Sequence, residues 1–176
     1  MTTPHTFSHA ESEFEEILRS HRFMTASLKS AVQAPSIEDG AGLYVILPDI
    51  LAIDPDGVQG WCFEVKDEAT SSYKMRQLEM TKGYSGPAWF LRYRKALGYL
   101  NFSKAFDCPC VIAIHTKAGW RAGFFTRRVN GLVDYNRDIV VPGWKDPGGI
   151  PVLFGQMQPL RVFFESIRTL QKQFWQ

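Results

Sequence analysis

The sequence predicts an α/β fold in which a mixed central β-sheet is flanked by helices. Three observations carry that expectation: amphipathic helical patterns near both ends, a strand–turn–strand unit over residues 43–66, and a second apolar run at 109–115 behind a helical stretch. Helix and strand patterns that alternate along a chain pack as layers around a sheet. The 176 residues, 45% hydrophobic and 22% charged, fit one domain spanning 1–176 with a loose tail at 1–7. A chain of this size can bury a core without staples. Its longest apolar run, Leu43 to Ile53, is interrupted by Pro48 and Asp49 and falls short of a membrane span. The first residues have neither the early positive charge nor the apolar core of a secretory signal. Three cysteines exclude a disulfide scaffold and point to a reduced, cytoplasmic protein. Cys108-Pro-Cys110 has the wrong spacing for a zinc knuckle.

Ser8 and Glu11 form a capping box at the start of a first helix. Phe14, Ile17, Leu18 and His21 share one of its faces, extended by Thr25 and Leu28 if the helix continues. Residues 35–42 are a turn-rich break. Residues 43–54 then read as a buried strand, Pro55-Asp56-Gly57 as a turn, and Trp61–Lys66 as the returning strand of a hairpin. Residues 73–83 are helix-permissive. Pro87 opens a predicted helix to Phe106, with Phe90, Tyr93, Leu97 and Leu100 on its core face. Strands follow at 109–115 and 120–126. The segment 129–158 mixes short strands with loops. A terminal helix from Leu160 to Trp175 turns Val162, Phe163, Ile167, Leu170 and Phe174 to the core.

Chemistry concentrates in the hairpin. Trp61, Phe63 and Val65 alternate with Cys62, Glu64 and Lys66, so one face is apolar and the other carries an acid and an amine side by side. A solvated face on an edge strand would explain Glu64 and Lys66 alone. Asp49 changes the balance: a carboxylate inside an apolar strand pattern is costly unless it has a partner. If 49–54 pairs with 61–66, Asp49 and Glu64 come to neighbouring positions. Two carboxylates beside a lysine make a hard-cation site suited to Mg²⁺. In the metal-free state the two are expected to repel, so that their removal leaves the fold intact or firmer.

The order Pro48-Asp49, then Glu64-Val65-Lys66 after fourteen residues, resembles the signature of the PD-(D/E)XK nuclease superfamily, which includes restriction endonucleases and Holliday junction resolvases. The resemblance implies a restriction endonuclease-like sandwich and Mg²⁺-dependent hydrolysis of DNA phosphodiesters, with Mn²⁺ able to substitute. It implies that Asp49, Glu64 and the Val65 carbonyl hold the metal, and that Lys66 positions or activates the attacking water. Two neighbouring carboxylates favour the charged ammonium, which suits Lys66 to positioning and charge stabilisation. Many members place a helical Glu upstream after an aromatic residue. Phe14-Glu15 fits, with Glu11 as competitor. Some branches carry Gln-x-x-x-Tyr in the helix after the core; Gln77 is followed by Thr81, which argues against those branches.

Charge is divided along the chain. Residues 1–70 hold 4 Lys/Arg against 12 Asp/Glu, and residues 71–176 hold 16 against 6. An acidic part for a cation and a basic part for a polyanion would suit DNA as partner. Arg92, Arg94 and Lys95, near a helix start, are the expected phosphate contacts, with Arg121, Arg127 and Arg128 as the fallback. A two-site homodimer is expected if both strands are cut. The competing readings are an inactive nucleic-acid- or protein-binding member of the same fold, and an unrelated α/β regulatory domain with a fortuitous carboxylate pair. His115 and Cys62 are expected to be structural.

Overall fold

Residues 9–28, 36–38, 44–55, 59–68, 76–81, 84–141 and 149–174 are described by the structure, a computed structural model. In chain order the elements are α1 (His9–Ser20), β1 (Met24–Ser27), β2 (Ser36–Glu38), β3 (Tyr44–Ile46), β4 (Ile50–Ile53), β5 (Gly60–Asp67), β6 (Arg76–Thr81), β7 (Tyr84–Leu91), α2 (Tyr93–Phe106), β8 (Cys110–Thr116), β9 (Gly119–Phe124), β10 (Thr126–Val129), β11 (Leu132–Tyr135), β12 (Ile150–Leu153), β13 (Gln158–Pro159) and α3 (Leu160–Phe174). The central sheet runs β1-β4-β5-β8-β9-β13. Only β5 and β8 are parallel within it, and α2 lies on the crossover between them. A three-stranded sheet, β12-β7-β6, and the hairpins β2-β3 and β10-β11 complete it. The expected mixed sheet flanked by helices is therefore present.

Alternation along β5 and β8 explains why both faces are covered. Phe63, Val65, Val111 and Ala113 pack with Phe14 and Leu18 of α1 and with Phe163, Phe164 and Ile167 of α3. On the other face Cys110, Ile112 and Ile114 pack with Ala96 and Tyr99 of α2 and with Trp89, Leu91, Ile150 and Val152 of the smaller sheet. A parallel pair buried on both sides reads as a continuous apolar run, as 110–114 does.

Several sequence expectations are corrected. The first helix stops at Ser20, where Arg22 takes a positive φ of 69°, so Thr25 belongs to β1. The stretch 43–54 splits at Leu47–Asp49 into β3 and β4, which join different sheets. The helix-permissive 73–83 yields β6. Pro87 opens no helix and lies in β7 opposite Gln77 of β6, just before the stretch 88–91 that pairs with β12. Phe90 is a buried strand residue and Tyr93 is 61% exposed; the buried face of α2 is Ala96, Tyr99, Leu100, Phe102 and Ser103. Val162 of α3 is exposed rather than buried. The tail 1–7, the Ser8 cap, Asp56-Gly57 of the turn and the side chains of Leu170 and Phe174 lie outside the described residues.

α2 approaches the hairpin closely because position 98 is glycine. A Cβ there would meet Ile46 Cγ1 at 2.5 Å. Alanine in a helix interior is normally better than glycine by about 1 kcal/mol, whereas overpacking costs about 1–3 kcal/mol. Gly98→Ala should therefore destabilise in urea unfolding, and the same substitution should cost less in an Ile46→Ala background, where the obstructing side chain is gone. A more stable single variant would contradict the packing.

Candidate active site at the β4–β5 fork

The β4–β5 register pairs Ile50 with Phe63 and Leu51 with Cys62. Continued by one residue, it brings Asp49 opposite Glu64. Ile50 and Phe63 belong to the α1 face of the sheet, so Asp49 and Glu64 share the α2 face. Both are buried, at 0% and 1% exposure. Their burial is offset by specific partners. The Val65 N–H donates to Asp49 Oδ2 at 2.6 Å. The Lys66 ammonium donates to Glu64 Oε1 and, at 3.1 Å, to the Val65 carbonyl, and lies 4.0 Å from Asp49 Oδ2. Lys66 is itself only 14% exposed in its side chain. The expected repulsion between the carboxylates is thus largely met by an internal cation. The expectation that removing Asp49 relieves strain is revised: its loss would strip a buried N–H of its acceptor, which costs about 1–3 kcal/mol.

Tyr99 is the residue that sequence reasoning missed. It is 1% exposed, on α2 above the pair. Burial first, then the Glu64 and Asp49 carboxylates, push its phenol well above the ordinary range, and its hydroxyl donates to Glu64. The same surroundings raise the Cys110 thiol, burial first and Glu64 next. Both shifts report burial first and the nearby carboxylates second. The helix after the core is α2, not 73–83, and Lys95 and Tyr99 stand in it at the spacing sought for Gln and Tyr, with lysine in the place of glutamine.

Two carboxylates and a backbone carbonyl are a donor set that fits Mg²⁺, a hard cation that takes few protein oxygens and keeps several waters. Among the described residues no group of three or more His, Cys, Asp or Glu side chains is assembled. Glu15 does not join the pair. It sits in mid-α1, where its carboxylate accepts from Arg19 Nη2 at 2.7 Å and Thr25 Oγ1 at 2.9 Å. Glu11 lies one turn nearer the N-terminus of α1 and is buried. Because α1 turns back into β1, and Thr25 pairs with Ala52, the N-terminal end of α1 points toward Asp49.

α2 begins over the carboxyl end of β5 and ends near Cys62, since it returns the chain to a parallel neighbour. Arg92 and Arg94 are exposed at its start, and Lys95 is half-buried one turn before Tyr99. The fallback cations are engaged elsewhere. Arg127 pairs with Asp138 at 2.7 Å, Arg128 pairs with Asp107, and Arg121 donates to the Met157 carbonyl. His115 stacks on Trp120 with ring centroids 4.9 Å apart and stands 3.8 Å from Asp67. Cys62 is buried with its sulfur 3.0 Å from that of Cys108.

No family model matches the chain, and no curated protein matches it. Among solved structures, it is similar to a Holliday junction resolvase, Hjc, of Archaeoglobus fulgidus, at 15% identity and a TM-score of 0.43, over 74% of this chain and 87% of that one.

Tyr99→Phe removes the donor to Glu64 and should cost about 1–3 kcal/mol at pH 7. A phenol raised in the folded state holds its proton after the unfolded chain has lost it at about pH 10. Its stabilisation is therefore complete below that pH and is lost above it. The gap between wild type and Tyr99→Phe in urea midpoint should narrow from pH 8 to 11. A constant gap would remove Tyr99 from contact with the carboxylates.

Proposed function

We propose that this chain is a Mg²⁺-dependent deoxyribonuclease of the PD-(D/E)XK kind. One observation carries the reading: Asp49 and Glu64, from adjacent strands, share one buried sheet face with Lys66, whose ammonium sits among their oxygens and the Val65 carbonyl. Asp49, Glu64 and the Val65 carbonyl would hold the metal, as one cation replaces another. Bound there, Mg²⁺ or Mn²⁺ would offset charge developing on the phosphate and acidify a water. The Val65 N–H fixes one oxygen of Asp49, and Tyr99 fixes Glu64, so neither carboxylate must reorganise. Lys66, turned from Glu64 toward the open end of the cleft, would hold a phosphate oxygen and the attacking water. Glu11, rather than Glu15, is the better-placed helical acid for a supporting role. Arg92, Arg94 and Lys95 would contact the strand backbone.

Asp49→Asn and Glu64→Gln should abolish cleavage of plasmid, linear, single-stranded and four-way-junction DNA in Mg²⁺. Lys66→Met should lose most turnover yet gain a larger Mg²⁺-induced rise in Tm than wild type, because it no longer carries the competing ammonium. Wild-type cleavage by the two carboxylate variants would overturn the assignment. Metal-dependent stabilisation and DNA binding without any cleavage would favour the inactive binding member.

The second test reads the basic stripe. With Ca²⁺ in place of Mg²⁺, Arg94→Ala combined with Lys95→Ala should weaken duplex binding. It should also flatten the plot of log affinity against log salt by about 1–2 units, at about 0.9 per lost phosphate contact. An unchanged slope would mean that these cations only solvate the surface.

A further inference from the structure

α2 exposes one aromatic ring at each end. Phe106, in its last turn, packs on Phe102 with ring centroids 4.6 Å apart and stands next to the Asp107–Arg128 ion pair. Tyr93, its first residue, is 61% exposed, although Phe90, Tyr93 and Leu97 have the spacing of a core face. Its surroundings differ in kind from those of Phe106. Arg92 and Arg94 flank it in sequence and are exposed, and Lys95 follows, half-buried. At about 100° per residue the two arginines leave the helix on either side of the ring. The first turn contains no acid, and the Arg92 side chain makes no capping hydrogen bond. Cations at this end oppose the helix dipole, a cost that a bound anion would offset. On β11, burial first and then the Tyr93 phenol raise the half-buried Tyr135 phenol, so a second tyrosine stands beside the first. Asp134, next to Tyr135, is engaged by Arg137 at 3.4 Å.

Tyr93 precedes Tyr99 by six residues, about 9 Å along the helix axis at ~1.5 Å per residue. Tyr99 donates to Glu64, and α2 begins over the carboxyl end of β5, where Lys66 follows Glu64. The exposed ring therefore lies a short step beyond the carboxylates, roughly two to three nucleotides of a B-form strand at ~3.4 Å each. Cations that track a phosphate backbone, with an aromatic ring among them, are the combination that holds unstacked bases. A paired base must first leave its stack to reach such a ring, whereas an unpaired one need not.

We propose that Tyr93 stacks on an unpaired base of the substrate strand, so that the chain selects DNA with unpaired nucleotides beside the cut over perfect duplex. The inference rests on the nuclease reading, which brings DNA across the start of α2, and adds a substrate class to it. Arg92 and Arg94 hold the phosphates on either side of that base. A tyrosine suits the role, because a ring with only two side-chain torsions loses little freedom on stacking.

The experiment measures binding by the full chain in Ca²⁺. The probes are a short duplex and the same duplex with a central unpaired loop that carries a fluorescent aminopurine. Wild type should bind the looped probe more tightly and quench the aminopurine. Tyr93→Ala should weaken the looped probe by about 5-fold or more, the lower end of what a base stacked on one ring contributes, and should abolish the quench. Its affinity for the perfect duplex should stay within about 2-fold of wild type, as for an ordinary surface change. Tyr93→Trp should restore both affinity and quench. The exposed position keeps the fold independent of these substitutions. Equal losses on both probes, no loss on either, or a tryptophan that restores nothing would overturn the proposal. So would a wild-type chain that prefers the duplex or binds neither probe. The two readings fail separately. Mg²⁺-dependent cutting that needs Asp49 and Glu64, without selectivity for the loop, overturns the stacking inference alone. Loop selectivity that depends on Tyr93, with cutting unaffected by Asp49→Asn and Glu64→Gln, overturns the nuclease assignment alone.

Discussion

Two carboxylates buried on one sheet face set conditions that the surrounding structure must meet. Asp49 and Glu64 are within 1% of complete burial, and a buried charge without a partner is worth several kcal/mol of instability. Each compensating group requires a different part of the fold. The Val65 N–H is available because Asp49 stands just beyond the last paired residue of β4. Lys66 arrives by the two-residue repeat of β5. Tyr99 arrives only because α2 can lie close to β3, which Gly98 permits against Ile46. The hairpin register, the crossover helix and one glycine thus converge on two side chains.

The compensation is incomplete in formal charge. Two carboxylates and one ammonium leave a net charge of one negative, in a pocket where burial first, and the Glu64 carboxylate next, raise the Tyr99 phenol and the Cys110 thiol. A protein seeking only stability would do better with apolar residues of similar size, since buried ion pairs rarely repay their desolvation. Retaining the triad is therefore the costly choice for stability alone. The basic start of α2 stands over the same end of β5. The acidic and basic halves of the sequence therefore meet where a cation and a polyanion would be needed together.

The hairpin was readable because its information is local. Trp61, Phe63 and Val65 declare which face is core, and that choice places Glu64 and Lys66 on the other; the turn then selects Asp49 as their neighbour. Tyr99 was not readable, because its place over Glu64 depends on a helix that starts thirty residues later. That helix was set too early for a physical reason. Phe90, Tyr93 and Leu97 fall at helical spacing, yet 88–91 is claimed by pairing with β12, which is distant in sequence. Glu15 was favoured over Glu11 because it follows the aromatic Phe14, although both flank the apolar face of α1. Only the direction of α1 relative to β1 separates them. Arg121, Arg127 and Arg128 looked equivalent to the α2 cations by composition; their partners, the Met157 carbonyl, Asp138 and Asp107, are not readable from a sequence.

β5 also keeps the two faces of the central sheet chemically distinct. Its pleat sends Glu64 and Lys66 toward α2 and Trp61 toward α3, about 17 Å from Lys66 at ~3.3 Å per residue. A slip of one residue in its pairing would exchange the faces, driving Trp61, Phe63 and Val65 against the carboxylate pocket and the charges into the α1 core. The register is held against that slip by the aromatic side chains. Phe63 packs on Phe14 with ring centroids 5.3 Å apart, and Trp61 on Phe124 at 5.4 Å. The apolar face is therefore more than filling. It fixes the alternation on which the position of every charged group in the candidate site depends.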